Sequence, residues 1–297
     1  MIKNEVSVII PCFNSAKTII SAINSVLTQT VNVKEVIVVN DHSTDNLVEI
    51  VKTLSSSNST IRLVDSDVTG AGPVRNFGVS LAQGEVIAFL DADDVWDSGK
   101  LEAQLPLTGE KIIVGCYARY FLSNSDRIVG TSVRTKSDQL ATEGLYRSEF
   151  LPALTSSWVM RRKDFLELGG FNPEYILAQD FEFAQRAIRS GYEFKVSRRI
   201  LLSYCLNPIG ESSSNYLQQF ATWKYLSRKS SVDLQSFLAS PPLIVKIKGQ
   251  SGLFFRRSLF YFDKKNYLNF LFCLLLSSFL DPVRFITKIK KQGIIRE

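Results

Sequence analysis

Three short apolar runs, each ending on a cluster of polar or acidic residues, constrain this chain more than any other feature. Val6 to Ile10 is apolar except for Ser7 and closes at Pro11; Val36 to Val39 closes at Asn40-Asp41; Val86 to Leu90 closes at Asp91-Ala92-Asp93-Asp94. Runs of this length bounded by turn formers read as buried strands. Ile61 to Val64 is another such strand. Helical spacing fills the gaps between them. Ile19, Ala22, Ile23, Val26 and Leu27 mark one helix. Leu47, Ile50, Val51 and Leu54 mark a second, with Ser43-Thr44-Asp45 as its N-cap and Ser55 to Ser59 as the polar loop after it. Val74 to Ala82 marks a third. This alternation predicts an α/β fold, a mainly parallel central sheet with helices on both faces. Ligands bind such sheets beyond the carboxyl ends of the strands. The strand-terminal polar residues are therefore the candidate site.

The alternation blurs further along. Ile112 to Val114, Trp158 to Met160 and Tyr192 to Val196 read as short strands, Phe181 to Arg189 as a helix, and the chain from about residue 215 as helical. Residues 1–210 are expected to form the catalytic domain and 211–297 a helical extension. A length of 297 residues, 45% of them hydrophobic, suffices for one sizeable core, and a charged fraction of 22% excludes a disordered chain. Cys12, Cys116, Cys205 and Cys273 have neither zinc-knuckle nor redox-motif spacing, which predicts free thiols in a reducing compartment. The apolar run from Val6 to Ile10 is too short for a signal peptide, so no export and a cytoplasmic location are expected.

Asp91, Asp93 and Asp94 crowd three acids into four positions at the end of an apolar strand. Like charges so placed repel, and a divalent cation with oxygen ligands is the simplest compensation. Alone, such a motif more often marks an acidic turn with an N-cap. The neighbouring residues change the balance. The first strand ends in Pro11-Cys12-Phe13-Asn14 and the second in Asn40-Asp41-His42-Ser43-Thr44-Asp45. Gly70-Ala71-Gly72-Pro73-Val74-Arg75-Asn76-Phe77-Gly78 leads to Ala82-Gln83-Gly84-Glu85 and then to Leu90-Asp91-Ala92-Asp93-Asp94. Gly169-Gly170-Phe171 precedes Gln179-Asp180-Phe181-Glu182, with Arg186 downstream. In order and spacing these elements resemble the family 2 glycosyltransferases with the GT-A fold, over roughly residues 4 to 205. Each element is common by itself; all five in order are specific.

The resemblance implies an inverting enzyme that moves a sugar from a nucleotide diphosphate donor, UDP-linked, to an acceptor hydroxyl. It implies Asp180 as general base, and Asp41 as the acid that accepts hydrogen bonds from the nucleotide base. Pro11, Phe13, Asn14, Arg75 and Asp91 would line the donor site. Asp93, with Asp91, would hold a divalent metal, Mn²⁺ or Mg²⁺. The chain departs from the family pattern at several positions. Asn40 stands for a usual Asp, His42 for a usual Gly, and Gln179 for the Glu that often precedes the base. Asn207 occupies the place of a histidine the family often carries near the diphosphate. Gln218 to Trp223 lacks the arginine of the processive members, which implies transfer of a single sugar.

The net charge of +6 is unevenly spread: from Pro241 onward 11 Lys or Arg face 3 acids, a net of +8, which leaves −2 for the first 240 residues. The same segment holds Asn266 to Leu280, 15 residues without a charge, short of the about 20 that span a bilayer. Basic residues with Phe and Leu fit a helix in an anionic membrane interface; a helical hairpin packed on the catalytic domain fits equally. The basic excess is confined to this apolar tail, which argues against a nucleic-acid partner. A saccharide or lipid-linked saccharide acceptor, in polysaccharide or glycolipid assembly, is the expectation. Two rivals fare less well. A nucleotidyltransferase would want a glycine-rich loop after the first strand, and Pro11 to Lys17 has no glycine. An inactive nucleotide-sugar-binding scaffold would have no need of Asp91, Asp93 and Asp180 together.

Overall fold

A computed structural model of the chain describes residues 6–123, 125–132, 154–206, 221, 250, 254 and 267–281. Strands β1 (Val6–Cys12), β2 (Glu35–Asn40), β3 (Ile61–Asp65) and β4 (Val86–Phe89) alternate with helices α1 (Ile19–Leu27), α2 (Leu47–Ser57) and α3 (Ala71–Leu81). Then come β5 (Val95–Trp96), α4 (Lys100–Gln104), β6 (Ile112–Leu122), β7 (Ser125–Thr131), β8 (Val159–Arg161), α5 (Arg162–Glu167), α6 (Gln179–Arg189), β9 (Glu193–Leu206) and α7 (Tyr267–Leu280). The strands form one sheet in the order β3-β2-β1-β4-β8-β6-β9-β5, with β7 on β6. The first four are parallel in register, Val8 opposite Val36 and Ile87 opposite Ser7. Beyond β4 the sheet turns mixed: β8 is antiparallel to both β4 and β6, and β5 to β9.

Strand alternation sorts the core into two layers. Val8, Ile10, Val36, Val38 and Ala88 face Ile19, Ile23 and Val26 of α1, Leu47 and Val51 of α2 and Leu101 of α4. Ile9, Ile37, Val39, Ile87 and Phe89 face Val74 and Val79 of α3, Phe165 of α5 and Phe183, Ala184 and Ala187 of α6. Side chains in a strand point to opposite faces in turn, so one apolar run serves both layers. The second layer is strongly aromatic. Trp158 stacks on Phe171 with centroids 6.4 Å apart, and Phe183 meets Phe165 at 5.3 Å and Phe171 at 5.1 Å.

Several local readings need correction. Ser55, Ser56 and Ser57 belong to α2; their hydroxyls donate to the carbonyls of Lys52, Thr53 and Leu54, so the helix keeps its backbone ladder through the serine tract. The residue at the N-cap of α2 is Asn46, and Asp45 contributes by accepting the Leu47 N–H at 3.2 Å. Helix α3 begins at Ala71, before the apolar spacing starts, and β6 and β9 run much longer than their apolar stretches. Tertiary pairing carries an edge across polar residues that periodicity alone leaves out.

The chain divides into two compact units, Met1–Arg119 with Thr131–Tyr204, and Tyr120–Gly130 with Cys205–Glu297. The first holds the strand ends described below. The second holds α7. No described helix is long and apolar enough to cross a membrane. None of the four cysteines forms a disulfide, and all are buried.

Candidate active site

The turns after β1 and β2 are sewn together. Asn14 sits in the left-handed region, φ 48°, and its side-chain oxygen accepts the Thr44 N–H at 2.7 Å and the Asp45 N–H at 3.3 Å. Its own N–H donates to Ser43 Oγ at 3.0 Å. The Asp45 carboxylate accepts the Ala16 N–H at 2.9 Å. Asn40, standing where an acid is usual, bridges instead: its Oδ1 accepts the Ser43 N–H and its Nδ2 donates to Asp65. An amide can do both; a carboxylate can only accept. His42 adopts φ 54°, which accounts for glycine as the commoner residue there. Asp41 is anchored as well. One of its oxygens accepts the Gly70 N–H at 2.9 Å, where the chain enters α3, and the other faces His42 Nδ1 at 3.3 Å. Pro11 lies within β1, and Phe13 is 61% exposed at the rim.

The second cluster lies at the end of β4 and the start of α6. Arg75 on α3, only 5% exposed, pairs with Asp91, and its guanidinium lies 5.7 Å from the centre of the Phe171 ring. Its Nε is buried without a hydrogen-bond partner. Burial first, then the charge of Asp91, pushes the Asp93 carboxyl up to about 6, against the lowering influence of Arg75. Asp180, the second residue of α6, is likewise pushed up to about 6, by burial first. The Phe181 N–H, which Asp180 accepts at 2.8 Å, and the charge of Arg75 oppose the rise, while Asp91 adds to it. The four groups Arg75, Asp91, Asp93 and Asp180, spread over 106 positions of the chain, therefore act on one another. Cys12 senses the same charges: burial and then Asp91, Asp45 and Asp93 raise its thiol well above the ordinary value.

Contacts that sequence reading misses hold this cluster in place. The Asn76 side chain pairs with the backbone of Phe171 as a strand would, donating to its carbonyl at 2.7 Å and accepting its N–H at 2.8 Å. Arg186 grips Glu182 at 2.8 and 2.9 Å and donates to the carbonyls of Leu168 and Gly170. The Gly169-Gly170-Phe171 turn is thereby fastened to α3 on one side and α6 on the other. Gly170, φ 67°, admits no side chain, because a Cβ would meet Asn76 Oδ1 at 2.6 Å. Gly72 leaves room for the Gln179 side chain, whose Oε1 is buried without a partner. Gly78 lets α3 rest on Ile9 and Val39. Behind the acids, Ser156 accepts the Asp91 N–H with its hydroxyl at 3.0 Å and the Trp96 indole N–H with its carbonyl at 2.8 Å. Lys100 is wholly buried, its ammonium 3.9 Å from the centre of the Trp96 ring, and burial pushes it down to about 8. Asn76 and Arg186 stood within the motifs of the sequence without an assigned role; Ser156 and Lys100 carried no signal.

The sequence profile of glycosyl transferase family 2 matches residues 7–169. The chain belongs to that family. This family 2 glycosyltransferase is 31% identical over 286 residues to the amylovoran biosynthesis glycosyltransferase AmsB of Erwinia amylovora, covering 89% of this chain and 93% of that protein. It is 40% identical over 129 residues to WfgD of Escherichia coli, named a UDP-Glc:α-D-GlcNAc-diphosphoundecaprenol β-1,3-glucosyltransferase; the match covers 43% of this chain and half of that protein. Among solved structures it resembles residues 1–349 of S. aureus TarS in complex with UDP-GlcNAc, with a TM-score of 0.60 at 18% identity, covering 93% of this chain and 91% of that one. The fold is thus GT-A, with a helical region at its C-terminal end. Of the positions the resemblance singled out, Asn207 lies outside the described residues, as does Gln218 to Trp223 apart from Ala221.

Proposed function

We propose that this glycosyltransferase is an inverting, non-processive enzyme that transfers one sugar from a UDP-linked donor to a hydroxyl of a saccharide or lipid-linked saccharide. The observation that carries this reading is the convergence of Arg75, Asp91, Asp93 and Asp180 beyond the carboxyl end of β4. Residues 1–210 would be the catalytic domain and 211–297 its extension. In the donor site Asp41, held by Gly70, reads the pyrimidine edge, and Pro11, Phe13 and Asn14 frame the base. Arg75 fixes the rotamer of Asp91, which faces the ribose and diphosphate. The names of relatives such as WfgD, which specify UDP-glucose and a diphosphoundecaprenol acceptor, support both the uracil donor and a lipid-linked acceptor. That of AmsB supports polysaccharide assembly.

The acid pair fits a divalent cation. Asp93 is held against ionisation by burial and by Asp91, a strain that a bound cation relieves. Among the described residues no group of three or more His, Cys, Asp or Glu is placed to hold a metal ion. An ion that takes one or two carboxylates and completes its shell with substrate phosphates and water, as Mg²⁺ does, or Mn²⁺ in its place, suits such a pair. Asp93, with Asp91, would hold it, and when bound it neutralises charge on the leaving diphosphate.

Asp180 then has one task. As the acceptor oxygen attacks the anomeric carbon and the bond to the diphosphate oxygen breaks, the hydroxyl proton passes to the Asp180 carboxylate. A single displacement from the face opposite the leaving group inverts the configuration. The rise of its pKa to about 6 makes Asp180 a stronger base than an ordinary aspartate while leaving it mostly ionised near neutral pH. The extension would dock the enzyme peripherally on the cytoplasmic face of the membrane, where a lipid-linked acceptor presents its sugar. A thermal-shift panel of nucleotide sugars with Mn²⁺ tests the donor assignment, since a ligand that binds only the native state raises the melting temperature. A UDP-sugar should give the largest rise; a larger rise with a GDP-sugar overturns the uracil reading.

A further inference from the structure

Helix α7 exposes an unusual amount of apolar surface. Tyr267, Leu268, Leu271, Phe272, Leu275 and Phe279 make up half of the large hydrophobic side chains that stand exposed among the described residues, although α7 has only 14 residues. Leu268 is 81% and Phe279 85% exposed. At about 100° per residue, Leu268, Leu271, Phe272, Leu275 and Phe279 fall within an arc about 100° wide. Cys273 and Ser277, both buried, lie on the opposite side. The helix therefore buries one face and presents a continuous Leu/Phe stripe on the other. A helix apolar all round is normally enclosed on every side; this one is not.

We propose that this stripe is the membrane-contacting face of the enzyme, inserted into the headgroup region of an anionic bilayer with the helix lying in the plane. The inference rests on the membrane-docking reading above and assigns it to particular side chains. The flanking sequence favours lipid over a second protein: Lys264 and Lys265 precede the helix and Arg284, Lys288, Lys290 and Lys291 follow it, against Asp263 and Asp281. Basic residues flanking an apolar segment in sequence suit anionic lipid, where charge attracts the segment and apolar burial holds it. With 14 residues the helix cannot span the hydrocarbon core, which takes about 20, so it lies on the bilayer.

Co-sedimentation of the full chain with vesicles of phosphatidylglycerol in phosphatidylcholine, and with pure phosphatidylcholine, tests the assignment. The wild type should bind the anionic vesicles and bind them less, without losing them, in high salt. The variant Leu275→Asp with Phe279→Asp should bind roughly tenfold or more weakly, because two apolar side chains no longer enter the interface. Both positions are exposed, so its melting temperature should match the wild type. Ile20→Asp, at an exposed apolar position on α1, should bind like the wild type. If the wild type binds and the double variant binds equally well, the face is wrongly assigned while docking stands. A wild type left in the supernatant with both vesicle types overturns docking itself. So does sedimentation analysis showing a dimer that the double variant abolishes, with no vesicle binding by either form.

Discussion

The two ends of the candidate site are built on opposite principles. Where the turns after β1 and β2 meet, polar groups are matched: Asn14, Asn40, Ser43, Thr44 and Asp45 bond to one another's side chains and backbone. At the end of β4 and the start of α6 they are not. Arg75 Nε and Gln179 Oε1 are buried without partners, and Asp93 and Asp180 are pushed up to about 6 by burial. A buried polar group without a partner costs stability, and a buried charge costs more. In the function proposed above, the first is the nucleotide end, preformed as a frame, and the second the reacting end, left for donor, cation and acceptor to complete. Catalytic sites commonly hold groups away from their preferred state in this way.

The contrast breaks most visibly at Asp180. Asp180→Asn should lower transfer roughly 10²–10⁴-fold, as loss of a general base does, while donor affinity stays near wild type. The same variant should stabilise the unliganded enzyme. The folded-state pKa of about 6 lies above the ordinary 3.8, so between these values the native state holds the proton more tightly than the unfolded chain. Stability therefore falls as pH rises through that window and stays lower above it. Asparagine carries no such burden. Denaturation should find the variant more stable by about 3 kcal/mol at pH 7.5, with the difference closing below pH 3.8. In the free enzyme the acidic limb of kcat/KM should fall near 6. A variant that is no more stable than wild type at neutral pH would remove Asp180 from the uncompensated end.

Asp93→Ala should weaken donor binding in the presence of Mn²⁺ by roughly 10²-fold, a loss of a few kcal/mol of cation-mediated attraction. A chelator should do the same to the wild type. Titration calorimetry decides, and full binding in excess chelator would reduce the acids to a turn.

The clamp between the two ends offers a smaller effect. Asn76→Ala strips both partners from the Phe171 backbone, which should cost about 2 kcal/mol of stability. Because the turn it holds sits between Arg75 and Asp180, kcat should fall with little change in donor affinity. A loss confined to donor KM would place Asn76 in the frame instead. Smallest is Asn14→Ala, which frees the Thr44 and Asp45 N–H groups at a half-solvated turn and should cost about 1 kcal/mol. Its effect should appear in nucleotide affinity and leave kcat alone, the reverse of Asn76.

The same contrast marks how far the sequence could be read. The frame was legible. Val6 to Ile10 and Val36 to Val39 announce strands by unbroken apolar runs, and Asn14, Asp41 and Asp45 follow them directly, so chain position and spatial position coincide. The reacting end was legible in its acids and opaque in its wiring. Arg75 reads equally well as an exposed helix residue, and only packing buries it on Phe171, whose position in the chain is 96 residues away. Gln179 looks like a mild change of charge; in the structure its side chain fills the space that a Cβ at Gly72 would occupy.

By itself the sequence determined the parallel half of the sheet, the helices that cover it, and the order of acids at its strand ends. Those features depend on periodicity and on neighbours along the chain, which any short window of residues displays. Only the tertiary structure decided that β8 joins β4 antiparallel and thereby makes the sheet mixed. It also decided that Asn76 and Arg186 lock the glycine turn between α3 and α6, that Ser156 holds the Asp91 backbone, and that α7 buries Cys273 and Ser277 while leaving its Leu/Phe stripe bare. The physical reason is range. Each of these outcomes is set by which surfaces meet, whether two strands or two faces of one helix, and an apolar residue carries the same pattern whether it is covered or left to solvent.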